Sequence, residues 1–195
     1  MSLSFPLCIV RHGETDWNVE GRLQGQRDID LNARGRDQAM GVGRLLKHNH
    51  PRILDFDFVA SPLLRARETM RLMRNAMDLE PDLYRIDDRL KELTFGAWEG
   101  FTWPEMRLRD PVATAASEAD KWAFQPPGGE SYAMLSDRVA GWLAELDAPT
   151  IAVTHGGVAR VLLGLVTGMP QAELPMKDIV QGRALLFEGN GVKWV

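Results

Sequence analysis

The chain has 195 residues, 45% of them hydrophobic and 26% charged, and this composition is typical of a folded globular protein rather than a disordered one. Its formal charge of −4 gives no electrostatic case for nucleic acid or an anionic membrane as a partner. No apolar run approaches the ~20 residues of a transmembrane helix, and Met1–Pro6 lacks the basic and apolar regions of a signal peptide. Cys8 is the only cysteine, which excludes an intrachain disulfide and agrees with a cytoplasmic location.

Three apolar runs predict buried strands, because a strand covered on both faces is continuously apolar rather than alternating. These runs are Leu7–Val10, Phe56–Ala60 and Thr150–Val153. A helical pattern follows each run. We expect Asn32 to cap the first helix, and Ser61 to cap the second with Pro62 as its first residue, leading into Leu63–Met77.

The last third of the chain continues the alternation of strands and helices. Gly156 and Gly157 lead from the third strand directly into a helix over Val158–Val166. Ala184–Phe187 and Val192–Val195 flank a glycine-rich turn and predict a β-hairpin. The sequence therefore predicts one α/β domain over residues 1–195. Its architecture is a three-layer α/β/α sandwich with a mostly parallel central sheet.

The segment at about 96–129 fits no strand pattern. It contains Trp98, Trp103 and Trp122 and ends in a Pro-Pro-Gly-Gly run. Long connections of this kind in compact domains are commonly functional. We interpret the segment as a lid-like insertion that packs over the edge of the sheet.

Reactive side chains follow the predicted strands at their carboxyl ends, where open α/β sheets bind their ligands. Arg11 and His12 end the first strand, Arg65 lies on the helix after the second, and His155 and Gly156 follow the third. His12 and His155 are distant in sequence, yet they end strands of one sheet. We therefore expect the topology to bring the two imidazoles together.

These residue types suit the transfer of a phosphoryl group. The guanidinium groups of Arg11 and Arg65 match phosphate oxygens bidentately, and Gly156 at a helix start offers N–H groups to an anion. A neutral imidazole, His12, can attack phosphorus. Glu92 can donate a proton to the leaving oxygen and later take one from water. This scheme needs no cofactor and no metal.

Each of these residues also has a plainer interpretation when it is taken alone. A single histidine at a strand end is most often a hydrogen-bonded core residue. Arg65 could belong to a solvated helix face with its neighbouring arginines, and Glu92 could be an ordinary loop carboxylate. For His12, the surrounding Arg-His-Gly-Glu-Thr reverses that balance.

Arg11-His12-Gly13-Glu14-Thr15, followed by Asn18, resembles the signature of the histidine phosphatase superfamily, the phosphoglycerate mutase-like proteins. The resemblance continues in the family's order over most of the chain. Its further segments are Gly21–Gly25, Ser61–Ala66, Leu90–Glu92, Gly96–Gly100, Pro127–Ser131 and Thr154–Gly157. A single Arg-His-Gly would be weak evidence, whereas this ordered set is specific.

The resemblance assigns roles to individual residues. It implies that His12 becomes phosphorylated and that Glu92 is the acid–base residue. It further implies three residues that bind the phosphoryl group, namely Arg11, Arg65 and His155. Accessory phosphate contacts would come from Asn18 and the N–H of Gly156, and the residues near the substrate would be Thr15 and Gln24.

The insertion bears on the reaction that the resemblance implies. Mutases of this family carry a longer insertion with paired arginines that grip the substrate carboxylate, whereas Arg107 and Arg109 are not adjacent here. The short insertion favours a phosphatase that acts on a small-molecule phosphomonoester of the sugar phosphate or α-ribazole phosphate type.

Three alternatives remain open at the level of sequence. The first is a cofactor-dependent phosphoglycerate mutase. The second is a metal-dependent hydrolase with His12, His155 and Glu92 as ligands, although two guanidinium groups would repel the cation. The third is a non-catalytic phosphate-binding module, because a fold does not fix a function. The sequence does not define the oligomeric state, for which a homodimer is one candidate.

Overall fold

The computed structural model describes residues 3–195, so Met1 and Ser2, the start of the segment excluded as a signal peptide, lie outside the described residues. The strands in this range are β1 (Leu7–Arg11), β2 (Asp57–Ala60), β3 (Arg85–Ile86), β4 (Thr150–Thr154), β5 (Ala184–Glu188) and β6 (Gly191–Trp194). They form one sheet in the order β3-β2-β4-β1-β5-β6. The first four strands of that order are parallel, and β5 and β6 complete the sheet as an antiparallel hairpin.

Helices cover both faces of the sheet. In chain order they are α1 (Asp16–Val19), α2 (Ala33–Asn49), α3 (Leu64–Ala76), α4 (Trp103–Arg109), α5 (Pro111–Ala119), α6 (Tyr132–Ala144) and α7 (Gly156–Thr167). Side chains of α2 and α3 pack on one face, and those of α6 and α7 pack on the other. This arrangement confirms the three-layer α/β/α fold. Within residues 3–195, none of these helices combines the length and apolarity that crossing a bilayer requires.

Strand β1 shows why the sequence is continuously apolar at this point. Leu7 and Ile9 belong to the core beneath α6 and α7, whereas Cys8 and Val10 belong to the core beneath α2 and α3. Successive side chains of a strand point to opposite faces, so a strand that is covered twice needs apolar residues throughout. Burial also raises the pKa of the Cys8 thiol to about 12, which makes it an unreactive core residue.

Most of the predicted local signals are confirmed. The side chain of Asn32 caps α2 by accepting a hydrogen bond from the N–H of Gly35 at 2.9 Å. Helix α7 begins at Gly156, and β5 and β6 form the predicted hairpin. The predicted start of the second helix is wrong, because α3 begins only at Leu64 and Ser61 does not cap it.

The segment at about 96–129 contains a 3₁₀ turn at Gly96–Trp98 and the helices α4 and α5. It has a small core of its own, in which the buried residues are Leu23, Trp98 and Met106. Two backbone hydrogen bonds of 2.9 Å join Gly100 and Phe101 to Leu23 in the loop between α1 and α2. The segment is therefore tied to the carboxyl end of the sheet, and its role as a lid stays a prediction.

Candidate active site

The carboxyl ends of β1 and β4 bring the two histidines together. Arg11 lies opposite Thr154 in the sheet, and the N–H of His12 donates to the carbonyl of Thr154 at 2.9 Å. The imidazole rings of His12 and His155 are 5.1 Å apart between centroids, and both rings are buried. The convergence predicted from the strand ends is confirmed.

The hydrogen bonds of His12 define which ring nitrogen is free to react. Its Nδ1 lies 2.7 Å from the carbonyl oxygen of Gly13. A carbonyl only accepts, so Nδ1 carries the proton. The other nitrogen, Nε2, accepts a hydrogen bond from Nε of Arg65 at 3.2 Å. Burial, together with the charges of Arg65 and Arg11, lowers the pKa of His12 well below its ordinary value, so the ring is neutral with a lone pair on Nε2.

Arg65 is a buried cation that two carbonyl groups hold in place. Its Nη1 donates to the carbonyl of Arg27 at 2.7 Å, and its Nη2 donates to the carbonyl of Gly25 at 2.8 Å. Burial lowers the pKa of Arg65 to about 10, which leaves the guanidinium charged at neutral pH. Arg67 is exposed on the opposite side of α3, because residues two positions apart in an α-helix are about 200° apart around its axis.

Thr69 fixes the glycine that follows His12. Its hydroxyl donates to the carbonyl of Arg65 at 2.7 Å, and it accepts from the N–H of Gly13 at 3.0 Å. A β-carbon on Gly13 would clash with the backbone of Gly35 at the start of α2. The glycine is therefore required because β1 and α2 approach each other closely beside the nucleophile.

Arg11 and His155 each present an unpaired nitrogen atom. Nη1 of Arg11 donates to the carbonyl of Ile179 at 2.7 Å, whereas its Nε has no hydrogen-bond partner among the described residues. Nε2 of His155 is bonded to the hydroxyl of Ser61 at 2.7 Å, and Nδ1 has no partner in the same range. Buried polar atoms are nearly always paired, so two such nitrogens at the carboxyl end of the sheet indicate a place for an anionic ligand.

Glu92 is oriented by backbone groups on both of its oxygens. Oε2 accepts from the N–H of Gly157 and Oε1 accepts from the N–H of Leu93, both at 3.0 Å. A β-carbon on Gly157 would clash with Oε1 and approach Leu93 to 2.9 Å, so this glycine admits the carboxylate to the N-terminus of α7. The charge of Glu92 raises the pKa of Arg65 and Arg11 against the effect of burial, which places the carboxylate beside both guanidinium groups.

The accessory residues lie around the same site. Thr15 and Asn18 form a capping box at α1, in which the Thr15 N–H donates to Oδ1 of Asn18 at 3.1 Å. Gln24 is buried, and its Oε1 lacks a partner among the described residues. Gly156 opens α7 and turns the N-terminus of that helix toward the histidines. The Thr15 hydroxyl is engaged in its helix cap, and the roles of Thr15 and Gln24 near the substrate stay predictions.

Two further residues support the site and were not found from the sequence. Nε2 of Gln181 donates to the carbonyl of His12 at 3.1 Å and to Oδ1 of Asn18 at 3.0 Å. Ser61 holds His155 through its hydroxyl, and the predicted role of Ser61 as a helix cap is wrong. Gln181 lies next to a glycine before the hairpin, and no motif signals its role. The Ser-Pro pair did draw attention to Ser61.

The histidines and Glu92 do not form a metal site in this geometry. Within the described residues, no group of three His, Cys, Asp or Glu side chains is arranged to hold a metal ion. The Nε2 atoms of His12 and His155 already bond to Arg65 and Ser61, respectively. A cation at His12 Nε2 would also face the charge of Arg65.

Comparisons with known proteins agree with this combination of fold and site. A model of the histidine phosphatase superfamily (branch 1) matches residues 7–194. The chain belongs to the histidine phosphatase superfamily. It is accordingly an enzyme of the phosphatase class, and the relatives that we describe next act on small molecules that carry phosphate.

Three similar proteins illustrate the range of the family. Glucosyl-3-phosphoglycerate phosphatase of Mycobacterium tuberculosis (strain H37Rv) is 33% identical over 87% of this chain and 78% of its own. A Citrobacter koseri protein named "Probable phosphoglycerate mutase GpmB" is 35% identical over 83% of this chain and 74% of its own. The crystal structure of the α-ribazole phosphatase from Shigella flexneri has a TM-score of 0.81 at 30% identity, covering 93% of this chain and 89% of that one.

Proposed function

We propose that the protein hydrolyses a small-molecule phosphomonoester, of the sugar phosphate or α-ribazole phosphate type, through a phosphohistidine at His12. One observation carries the proposal. The lone pair of His12 Nε2 is held by Arg65, close to unpaired nitrogen atoms of Arg11 and His155. A nucleophile and a free guanidinium donor for the phosphate oxygens thus meet in one place, with the unpaired ring nitrogen of His155 beside them.

In the first step, Nε2 of His12 attacks phosphorus, and the bond between phosphorus and the ester oxygen breaks. Glu92 gives its proton to that oxygen, so the leaving group departs as a neutral alcohol. Arg11, Arg65 and His155 stabilise the charge on the phosphoryl oxygens during the transfer. The proton on Nδ1 of His12 stays hydrogen-bonded to Gly13, which stabilises the ring as it gains charge.

In the second step, water attacks the phosphohistidine and the bond between phosphorus and Nε2 breaks. Glu92 takes the proton of that water, which restores the acid needed for the next cycle. The overall reaction consumes one ester and one water and yields an alcohol and phosphate. Guanidinium groups supply the positive charge throughout, and we therefore propose that the reaction is independent of metal.

Replacement of His12 tests this proposal. His12→Ala should lower turnover by a factor on the order of 10⁶, as is found when an essential nucleophile is removed. Brief incubation with a ³²P-labelled monoester should label the wild-type protein in an acid-labile form and leave the variant unlabelled. His48→Ala, which changes an exposed histidine at the end of α2, is the control. Near-normal turnover of His12→Ala would exclude the mechanism.

The mutase is a second candidate, because the chain is 35% identical to a protein named as a phosphoglycerate mutase. The arginines of the insertion favour the hydrolase. Arg107 pairs with Glu118 at 2.7 Å, and Arg109 lies over the ring of Phe101 at 4.6 Å, so both guanidinium groups already have partners within the insertion. The test is phosphate release from simple monoesters in excess chelator. Absence of release, with rapid interconversion of phosphoglycerates, would establish the mutase instead.

A further inference from the structure

A cavity of about 200 Å³ lies next to Glu92, the proposed acid–base residue. Leu93, the neighbour of Glu92, forms one wall. Aromatic side chains of Trp98, Trp103 and Phe124 line the part contributed by the insertion. The cavity is therefore a space of limited size, with aromatic walls, next to the proposed acid–base residue.

Arg160 on α7 links this cavity to the phosphate site. Its Nε donates to the carbonyl of Lys177 at 2.7 Å, and its Nη1 lies 3.4 Å from the hydroxyl of Tyr132, so the guanidinium is held in one orientation. A β-carbon on Gly156 would lie 3.2 Å from Nη1 of Arg160 and 3.6 Å from Nε of Arg11. The two guanidinium groups thus face the same space, one from the phosphate side and one from the cavity side.

The two cations of this cavity, Arg160 and Lys121, form no ion pair among the described residues. Within residues 3–195, no carboxylate oxygen lies within 4.0 Å of the charged nitrogens of Arg160 or of Lys121, which also lines the cavity. Glu130 lines the cavity as well, but it pairs with Arg138 at 2.8 Å. Because aromatic side chains form part of the walls, attraction between these cations and an anion is stronger than it would be in water.

We propose that Arg160, assisted by Lys121, binds a carboxylate carried by the leaving group of the substrate. A planar guanidinium matches a carboxylate through two parallel hydrogen bonds. The cavity is smaller than the ~300–1,000 Å³ of sites for drug-sized ligands, so the leaving group is compact. This inference rests on the proposed hydrolase and narrows its substrates to phosphomonoesters of small hydroxy acids or sugar acids.

Two pairs of phosphomonoesters that differ at the carboxylate test this proposal. The first pair is 3-phosphoglycerate and glycerol 3-phosphate, and the second is phosphoserine and phosphoethanolamine. Each compound is assayed as a competitive inhibitor of p-nitrophenyl phosphate hydrolysis, which works even for a compound that turns over slowly. In at least one of the two pairs of compounds, the wild-type enzyme should bind the carboxylate member more tightly by a factor of roughly 10–100. This is the gain in affinity expected from a hydrogen bond between charged groups.

Arg160→Met should abolish this preference, whereas Arg160→Lys should retain part of it because the charge remains. Lys121→Met should reduce the preference less, and Arg107→Met, on the exposed side of α4, should not change it. Equal weakening of both members of a pair by Arg160→Met would overturn the proposal, since Arg160 would then act on the phosphate. A wild-type enzyme without preference in either pair would also overturn it.

A protein that is not a hydrolase would give a result that can be distinguished from failure of the carboxylate site. In that case p-nitrophenyl phosphate would not be hydrolysed and no phosphohistidine would form. Titration calorimetry with the same two pairs would still measure the preference for the carboxylate. A preference that depends on Arg160 but occurs without turnover would support the binding site and reject the hydrolase.

Discussion

The two nitrogen atoms of His12 have different partners, and this difference determines their chemistry. The carbonyl of Gly13 holds the proton on Nδ1, and Arg65 lies against Nε2. Because burial and two neighbouring cations lower the pKa of the ring, no change in pH near neutrality is needed to prepare the nucleophile. An incoming phosphate only has to displace or share the hydrogen bond from Arg65.

Arg65 and Arg67 provide a matched pair on one helix. Arg65→Ala should lower kcat/KM by roughly 10²–10³, which is the usual effect of removing one preorganised donor. The reason is that the guanidinium group of Arg65 lies against the nucleophilic nitrogen of His12. Arg67→Ala should have little effect, since that side chain is exposed. Steady-state kinetics, with thermal unfolding to check that both variants are folded, measures the contrast. A larger loss for Arg67→Ala would contradict the orientation of α3.

The role of Glu92 as a proton donor can be tested by comparing substrates with poor and good leaving groups. General acid catalysis matters when an alkoxide must leave and scarcely matters for a nitrophenolate. In single-turnover experiments, Glu92→Gln should therefore slow phosphorylation of His12 by roughly 10²–10⁴ with an alkyl phosphate and much less with p-nitrophenyl phosphate. Equal losses with both substrates would mean that Glu92 holds the N-terminus of α7 rather than donating a proton.

The site residues that could be predicted from sequence are those fixed by strand ends and helix phase. His12 and His155 follow parallel neighbouring strands, and Arg65 lies in the first turn of α3, so the topology places all three. Gln181 could not be predicted in this way. It approaches His12 from a loop, and the path of a loop depends on tertiary contacts that no local pattern encodes.

The β2–α3 connection shows where local signals fail at the scale of an element. Ser-Pro is a typical helix start, yet α3 begins two residues after Pro62, with Leu63 at its cap position and no side-chain cap. The hydroxyl of Ser61 is bonded to His155 at 2.7 Å instead. A tertiary hydrogen bond to a buried ring has thus replaced the local cap, and a sequence pattern does not reveal that competition.

The packing of α2 against α3 yields a prediction at the same scale. A β-carbon on Gly43 would clash with the carbonyl oxygen of Met73 and lie 3.0 Å from the β-carbon of Ala76, whereas one on Gly41 would meet nothing within 4 Å. Gly43→Ala should therefore destabilise the protein by about 1–3 kcal/mol. Gly41→Ala should stabilise it by about 0.5–1 kcal/mol through helix propensity alone.

Urea unfolding of the two glycine variants measures these changes. Both substitutions add the same methyl group to the same helix, so the difference between them isolates the contact with α3. Equal midpoints for the two variants would show that α2 can move away from α3 without cost.

At the scale of the whole molecule, the central strands β1, β2 and β4 were predictable because each is apolar and ends in a recognisable residue. The two-residue edge strand β3 was not predicted, because both of its residues are exposed and carry no such pattern. Because two of the central strands are followed directly by histidine, the fold buries two imidazole rings next to each other. Burial is the largest cause of the lowered pKa of both His12 and His155, and the charges of Arg65 and Arg11 lower both further. Each ring is neutral in the folded protein, whereas an unfolded histidine has a pKa of about 6.5.

This difference couples the stability of the whole protein to pH. Below a pH of about 6.5 the unfolded chain binds protons that the folded protein does not, so the free energy of unfolding must fall as the pH falls. Each histidine contributes a slope of up to about 1.4 kcal/mol per pH unit, until its own lowered pKa is reached. Urea unfolding between pH 7.5 and 5.5, above the range in which ordinary carboxylates titrate, measures this slope. Replacing both His12 and His155 with Asn should flatten it, whereas His48→Asn should not, and an unchanged slope in the double variant would contradict the assignment.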